Sequence, residues 1–74
     1  MSPPELSGDE VRAVRTMFNL SASRAASIVG LNDGAAWRKW ERNGVRGPGA
    51  VLLKAIVEST AVRRYFKIGD PGGN

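Results

Sequence analysis

Apolar residues recur three and four positions apart along most of this chain, and nowhere do they alternate with polar ones over the length of a strand. That spacing predicts a succession of short helices. The first opens on Ser7. Glu10 stands three residues on, the spacing of a capping box, and Leu6 and Val11 flank the cap as a hydrophobic staple does. Val11, Val14 and Phe18 continue as one stripe, and Asn19, which tolerates the left-handed conformation, is the expected stop. A second helix follows Leu20, with Ser21 as its N-cap. Its apolar residues are Ala22, Ala25, Ala26, Ile28 and Val29, mostly alanine, so a neighbouring helix can approach closely. Gly30 suits its end.

A third helix begins near Asn32 or Asp33, both good caps, and ends at Asn43 and Gly44. At about 100° per residue, Asp33, Ala36, Trp37 and Trp40 fall on one side, and Gly34, Ala35, Arg38, Lys39 and Arg42 on the other. The next five residues, VRGPG, make a turn in which Gly47 and Gly49 permit unusual φ and Pro48 suits a first helical position. A fourth helix is expected over residues 49–58, carrying Val51, Leu52, Leu53, Ile56 and Val57. Ser59 and Thr60 offer a cap for a fifth segment over residues 61–68, although neither residue forbids one bent helix running through. The expected fold class is all-α, a compact bundle of about five short helices. Residues 1–5 are expected to be a flexible leader, 6–68 one domain, and 69–74 a disordered tail.

Charge sharpens this picture. The net charge is +4, but residues 1–33 carry −1 and residues 34–74 carry +5. A one-sided basic half favours a polyanion, such as nucleic acid or an anionic membrane surface. The chain has no cysteine and no histidine, which removes thiolate metal sites, disulfides and the commonest general base. No two carboxylates are spaced convincingly for catalysis, and VRGPG lacks the pattern of a phosphate-binding loop. The expectation is therefore no enzyme, no cofactor, no metal and no small-molecule substrate. The longest aliphatic run, residues 50–53, is far too short to span a bilayer, and the first ten residues have no secretory signal pattern. No membrane association and a cytoplasmic location are expected.

The densest stretch is WRKWERNG, residues 37–44. Trp37 and Trp40 fit a helix side buried against the domain. Arg38, Lys39 and Arg42 fit a side turned outward. A small-residue helix, a glycine-containing turn of about three residues, then this helix is the layout of a helix-turn-helix, whose second helix enters the DNA major groove. Ser21, Ser23 and Arg24 at the second helix, and Arg42, Asn43 and Arg46 around the end of the third, are candidates for holding phosphates. Arg63, Arg64 and Lys67 read as a solvated helix face.

The segment NLSASRAASIVGLNDGAAWRKWERNG resembles the helix-turn-helix of the lambda-repressor-like (Cro/CI, or XRE) regulators, and WERNG is similar to their W-E-x-G ending. With the Trp-x-x-Trp pair and the LLKAIVESTAVRRYF ending, the chain looks most like small phage regulators such as the anti-CRISPR-associated repressors. The resemblance implies an ion pair between Arg15 and Glu41. It implies base reading by Arg38 and Lys39, with Asn32, Asp33, Gly34 and Ala35 at the N-terminal contact positions. It also implies a dimer built on the last helix, for which Val62, Tyr65, Phe66 and Ile68 are the candidates. Helix two has Ala22 where many members carry a DNA-contacting glutamine, so that contact is not implied. The function implied is a sequence-specific homodimeric repressor that binds double-stranded DNA at an inverted repeat and regulates its own operon. The alternative is a protein-interaction module, an antitoxin or inhibitor, using the same basic face.

Overall fold

The computed structural model describes residues 4–69. The expectations for residues 1–3 and 70–74 lie outside the described residues. The order of elements is β1 (Glu5–Leu6), α1 (Gly8–Met17), α2 (Ala22–Ile28), α3 (Gly34–Asn43), β2 (Val45–Arg46), α4 (Pro48–Glu58) and α5 (Thr60–Tyr65). Five helices pack around one core, beside a two-stranded antiparallel sheet pairing Glu5 with Arg46 and Leu6 with Val45.

The local signals act as their chemistry requires. Ser7 Oγ accepts from the Glu10 N–H at 3.1 Å, and Glu10 Oε1 accepts from the Ser7 N–H at 2.9 Å, completing the capping box. That backbone N–H holds the Glu10 carboxyl below its ordinary pKa. Leu6 and Val11 on either side of the cap are both buried. Asn19 ends the first helix at φ 55° and Gly30 follows the second at φ 82°. Ser21 and Asp33 cap α2 and α3 through their side chains. Helix α4 starts one residue earlier than expected, with Pro48 at its first position.

Helices α4 and α5 are separate. Ser59 is extended (φ −118°, ψ 115°), and its Oγ accepts from the Val62 N–H at 3.2 Å. Arg63 fixes this corner. Its Nη1 donates to the carbonyls of Ile56 (2.7 Å) and Val57 (2.9 Å), and its Nη2 to Thr60 Oγ1 (3.1 Å). Carbonyls in the last turn of a helix lack intrahelical partners, so a cation there satisfies them. Arg63 is 8% exposed and its guanidinium lies 5.6 Å from the Phe18 ring centroid. It is a buried corner post and not part of a solvated face. Periodicity could not show this, because its burial depends on the break at Ser59, four residues earlier.

The strand pair also departs from the all-helical expectation. Two residues are too few for an alternation to be visible in sequence. Glu5, placed in the leader, lies in β1, where its carboxylate is 3.3 Å from Arg46 Nε. The Gly47 N–H donates to the Pro4 carbonyl at 2.9 Å. Three glycines allow close approach here, Gly8 and Gly44 to neighbouring backbone and Gly49 to side chains. Gly44 (φ 83°) passes so close that a Cβ would lie 2.6 Å from the Leu6 carbonyl oxygen, and a Cβ on Gly49 would strike Val45 and Trp40. At Gly8 a Cβ would lie 2.2 Å from the Glu41 carbonyl oxygen and 2.8 Å from its carbon. The start of α1 therefore rests directly on the backbone near the end of α3.

Gly8→Ala tests that contact, because helix propensity and packing predict opposite signs. Propensity favours Ala by up to about 1 kcal/mol, while forcing a methyl group into the α3 backbone costs about 2–3 kcal/mol. We expect net destabilisation by urea unfolding, with Gly69→Ala, which meets nothing within 4 Å, as the neutral control.

Candidate nucleic-acid interface

Helix α3 has two unlike faces, and its inner face is set by an anchor and a tie. Trp37 is 1% exposed and is among the largest fully buried side chains. Its ring centroid lies 5.7 Å from that of the half-buried Trp40. Glu41, one turn on from Trp37, accepts a hydrogen bond from the Trp37 indole N–H. The same carboxylate meets Arg15 Nε at 2.5 Å and Nη2 at 3.3 Å, and Arg12 Nε at 3.4 Å. Arg15 Nη1 reaches on to the Leu20 carbonyl at 3.3 Å. The Arg15 hydrogen bond holds the Glu41 carboxyl below its ordinary pKa, against the opposing effect of burial. The same bond raises Arg15.

The outer face carries Ala35, Arg38, Lys39 and Arg42, of which the three cations have no ion-pair or hydrogen-bond partner among the described residues. Arg38 and Arg42 form a ridge between two shallow depressions. One is lined by Asp33, Ala35, Ala36 and Lys39 with the ridge. The other lies toward α1 and α2 and is lined by Arg12, Arg15, Ser21, Ala22 and Glu41 with the same ridge.

The expected site residues fall out as follows. Asn32, Asp33, Ala35, Arg38 and Lys39 are exposed along one side of the domain's α2–α3 edge. Asp33 Oδ1 is engaged in capping, accepting from the Ala36 N–H at 3.0 Å. Gly34 is not among them. It is buried against α2, where a Cβ would come 3.1 Å from Ser23 Oγ and 3.3 Å from the Ser23 nitrogen. A small residue lets either a groove or a neighbouring helix approach, and here the neighbour is α2. The link between the two helices, Val29–Asp33, is five residues and not about three, because α2 ends at Ile28.

Ser21, Ser23, Arg24, Arg42, Asn43 and Arg46 are all exposed. Arg24 Nη2 donates to the Phe66 carbonyl at 3.1 Å, tying α2 to the end of α5, and Arg46 is paired with Glu5. Of the dimer candidates, Tyr65 is 80% exposed, and it meets Phe66 edge to face at 4.9 Å between centroids. Val62 and Phe66 are half-buried against the protein's own core. Ile68 is a core residue, 8% exposed, and is not available to a partner. Sequence reasoning missed Arg12. The available signal was its position three residues before Arg15, which puts both guanidinium groups on one face of α1.

No family model, no curated protein and no solved structure matches this chain. The reading of the site rests on its own geometry.

Neutralising Glu41 gives a test with a defined sign. Its pKa is lowered in the folded protein, so its stabilisation is fully present above the unfolded value, about 4.3 for Glu. That stabilisation is lost as pH falls through the lower folded value. Glu41→Gln should cost about 2 kcal/mol at pH 7, as expected for hydrogen bonds to a charged group. Urea unfolding of both proteins should converge as pH drops below about 4. A gap that stays constant down to pH 3 would show that the carboxylate charge is not what ties α3 to α1.

Proposed function

We propose that the chain is a sequence-specific DNA-binding repressor of the lambda-repressor-like helix-turn-helix type, acting as a homodimer on an inverted-repeat operator. In this reading α2 and α3 form the helix-turn-helix and α3 is the recognition helix. One observation carries it. Helix α3 is locked to the domain through Trp37 and Glu41, while Arg38, Lys39 and Arg42 stand exposed on the opposite side beside the small residue Ala35. Cations on an outer helix face also serve solvation, and it is their gathering around a small residue on the second helix of the pair that favours DNA. A helix that enters a major groove needs both.

Arg38 is the leading base reader, through bidentate hydrogen bonding to guanine, with Lys39 beside it and Asn32 and Asp33 in support. Arg42 and Asn43 at the end of α3, and Arg46, Arg24, Ser21 and Ser23 outside it, are the phosphate ligands of this reading. Repression follows from occupying a promoter and requires no chemistry from the protein. Two copies would present two recognition helices about 34 Å apart, one turn of DNA. Tyr65, with the exposed edges of Val62 and Phe66, is the proposed two-fold contact.

A duplex selected from a random library supplies the probe. Arg38→Ala should lower affinity for that site by about 1–3 kcal/mol and relax preference at one base pair. Arg42→Ala should weaken all sequences alike and flatten the dependence of log K on log salt by about one unit. Affinity that is independent of salt would refute the reading. Tyr65→Glu should shift the sedimentation equilibrium toward monomer, and an unchanged association constant would move the dimer contact elsewhere.

A further inference from the structure

The depression between α1, α2 and α3 holds more positive charge than the tie between Glu41 and Arg15 requires. Four guanidinium groups, those of Arg12, Arg15, Arg38 and Arg42, line it together with one carboxylate, Glu41, leaving a net charge of +3. Arg15 accounts for the carboxylate. It makes two contacts with Glu41, the shorter at 2.5 Å, and is only 28% exposed. The Trp37 indole N–H takes a further place on the same oxygen, Oε2. Arg12 is the odd member. It touches Glu41 through Nε alone, at 3.4 Å, and its side chain is 64% exposed. A single long contact from a mostly solvated guanidinium contributes little to folding, about 0–1 kcal/mol. Its five N–H donors form a planar fork suited to a phosphate, and among the described residues only one of them is used.

We propose that Arg12 is a phosphate ligand for the DNA strand that passes along this depression, parked against Glu41 in the free protein and released from it on binding. This rests on the DNA-binding reading above and adds a strand path to it. The Arg38–Arg42 ridge separates two depressions. Bases face the side lined by Asp33, Ala35, Ala36 and Lys39, and a backbone runs on the more cationic side lined by Arg12, Arg15, Ser21 and Ala22. Releasing Arg12 leaves Glu41 still paired with Arg15 and Trp37, so the exchange does not expose an unpaired buried carboxylate. The three cations of Arg12, Arg38 and Arg42 then border one continuous strip from α1 to α3.

The experiment is a salt titration with two duplexes of about 30 base pairs, three turns of B-DNA. One carries the library-selected site and the other a random sequence. Arg12→Ala should reduce the slope of log K against log salt by about 0.9, which corresponds to about eightfold weaker binding at 0.1 M salt. The loss should be equal on both duplexes, and Arg12→Lys should restore most of the slope. The thermal unfolding midpoint of Arg12→Ala should stay close to that of the wild type, which separates a ligand role from a folding role. Wild-type slope and affinity in Arg12→Ala, with the wild-type protein binding normally, would overturn the assignment while leaving the DNA-binding reading standing. A loss confined to the selected site would overturn it too, since a phosphate ligand carries no sequence preference. A wild-type protein that binds neither duplex would overturn both.

Discussion

The Glu41 carboxylate decides how α3 is presented. It is 7% exposed at its side chain, and taking a charge that far out of water is unfavourable unless several donors meet it. Arg15 and Arg12 from α1 and the Trp37 indole from its own helix do so. Two of these partners belong to another element, so the bonds fix both the position of α3 and its rotation about its axis. Apolar packing of Trp37 alone would tolerate a range of rotations, because hydrophobic contact is not directional. The hydrogen bonds narrow that range, and every statement about which residues face outward depends on them.

The same crossing is secured a second time by backbone contact. Gly8 lets the first turn of α1 lie on the peptide of Glu41, the residue whose side chain binds Arg15 further along that helix. Gly44 then turns the chain under Leu6, and Val45 and Arg46 pair with the segment before α1. The start and end of the α1–α3 unit are thus closed on each other, and α4 departs from a fixed point. At the far side Arg63 does comparable work at the α4–α5 corner, with a cation satisfying helix-terminal carbonyls. Small domains have little core with which to define element ends. Here glycine contacts and arginine bonds define them.

Much of this was legible in sequence. Helix starts were readable because caps are short-range chemistry: Ser7 with Glu10, Ser21 and Asp33 each bond within three residues. The docking of Trp37 followed from helical spacing. What stayed hidden depended on partners distant in the chain. The 100° spacing put Gly34 at the border of the outer side, only one turn from Trp37, and with no side chain to favour either face the packing of α2 decides. Arg63 looked like its solvated neighbours Arg64 and Lys67 because nothing local announces that it will fold back on Ile56 and Val57. Ile68 read as a dimer residue and proved to be core for a related reason: the chain after α5 returns to the domain, with Lys67 at φ 58° and the Ile68 N–H bonded to the Arg63 carbonyl. In the candidate interface, the exposed cations of α3 were foreseen, whereas Arg12 was not, since its place depends on where α1 crosses α3.

The electrostatic character of the outer face follows from the inward turn of one carboxylate. WRKWERNG contains three cations and one anion within two turns. Were Glu41 exposed, it would lie beside Arg42 on the surface and offset part of the field that Arg38, Lys39 and Arg42 create. It is instead turned into the domain and neutralised there by Arg15, a cation from a segment whose own net charge is negative. The domain core thus removes Glu41 from the helix's outward balance, and Arg38, Lys39 and Arg42 remain on one side with no ion-pair partner among the described residues, sharing their depression with the capping carboxylate of Asp33. A net charge of +4 spread over the surface would attract polyanions only weakly. Separating the charges of a single helix, anion inward and cations outward, concentrates the attraction on the one surface whose rotation the Glu41 bonds have already fixed.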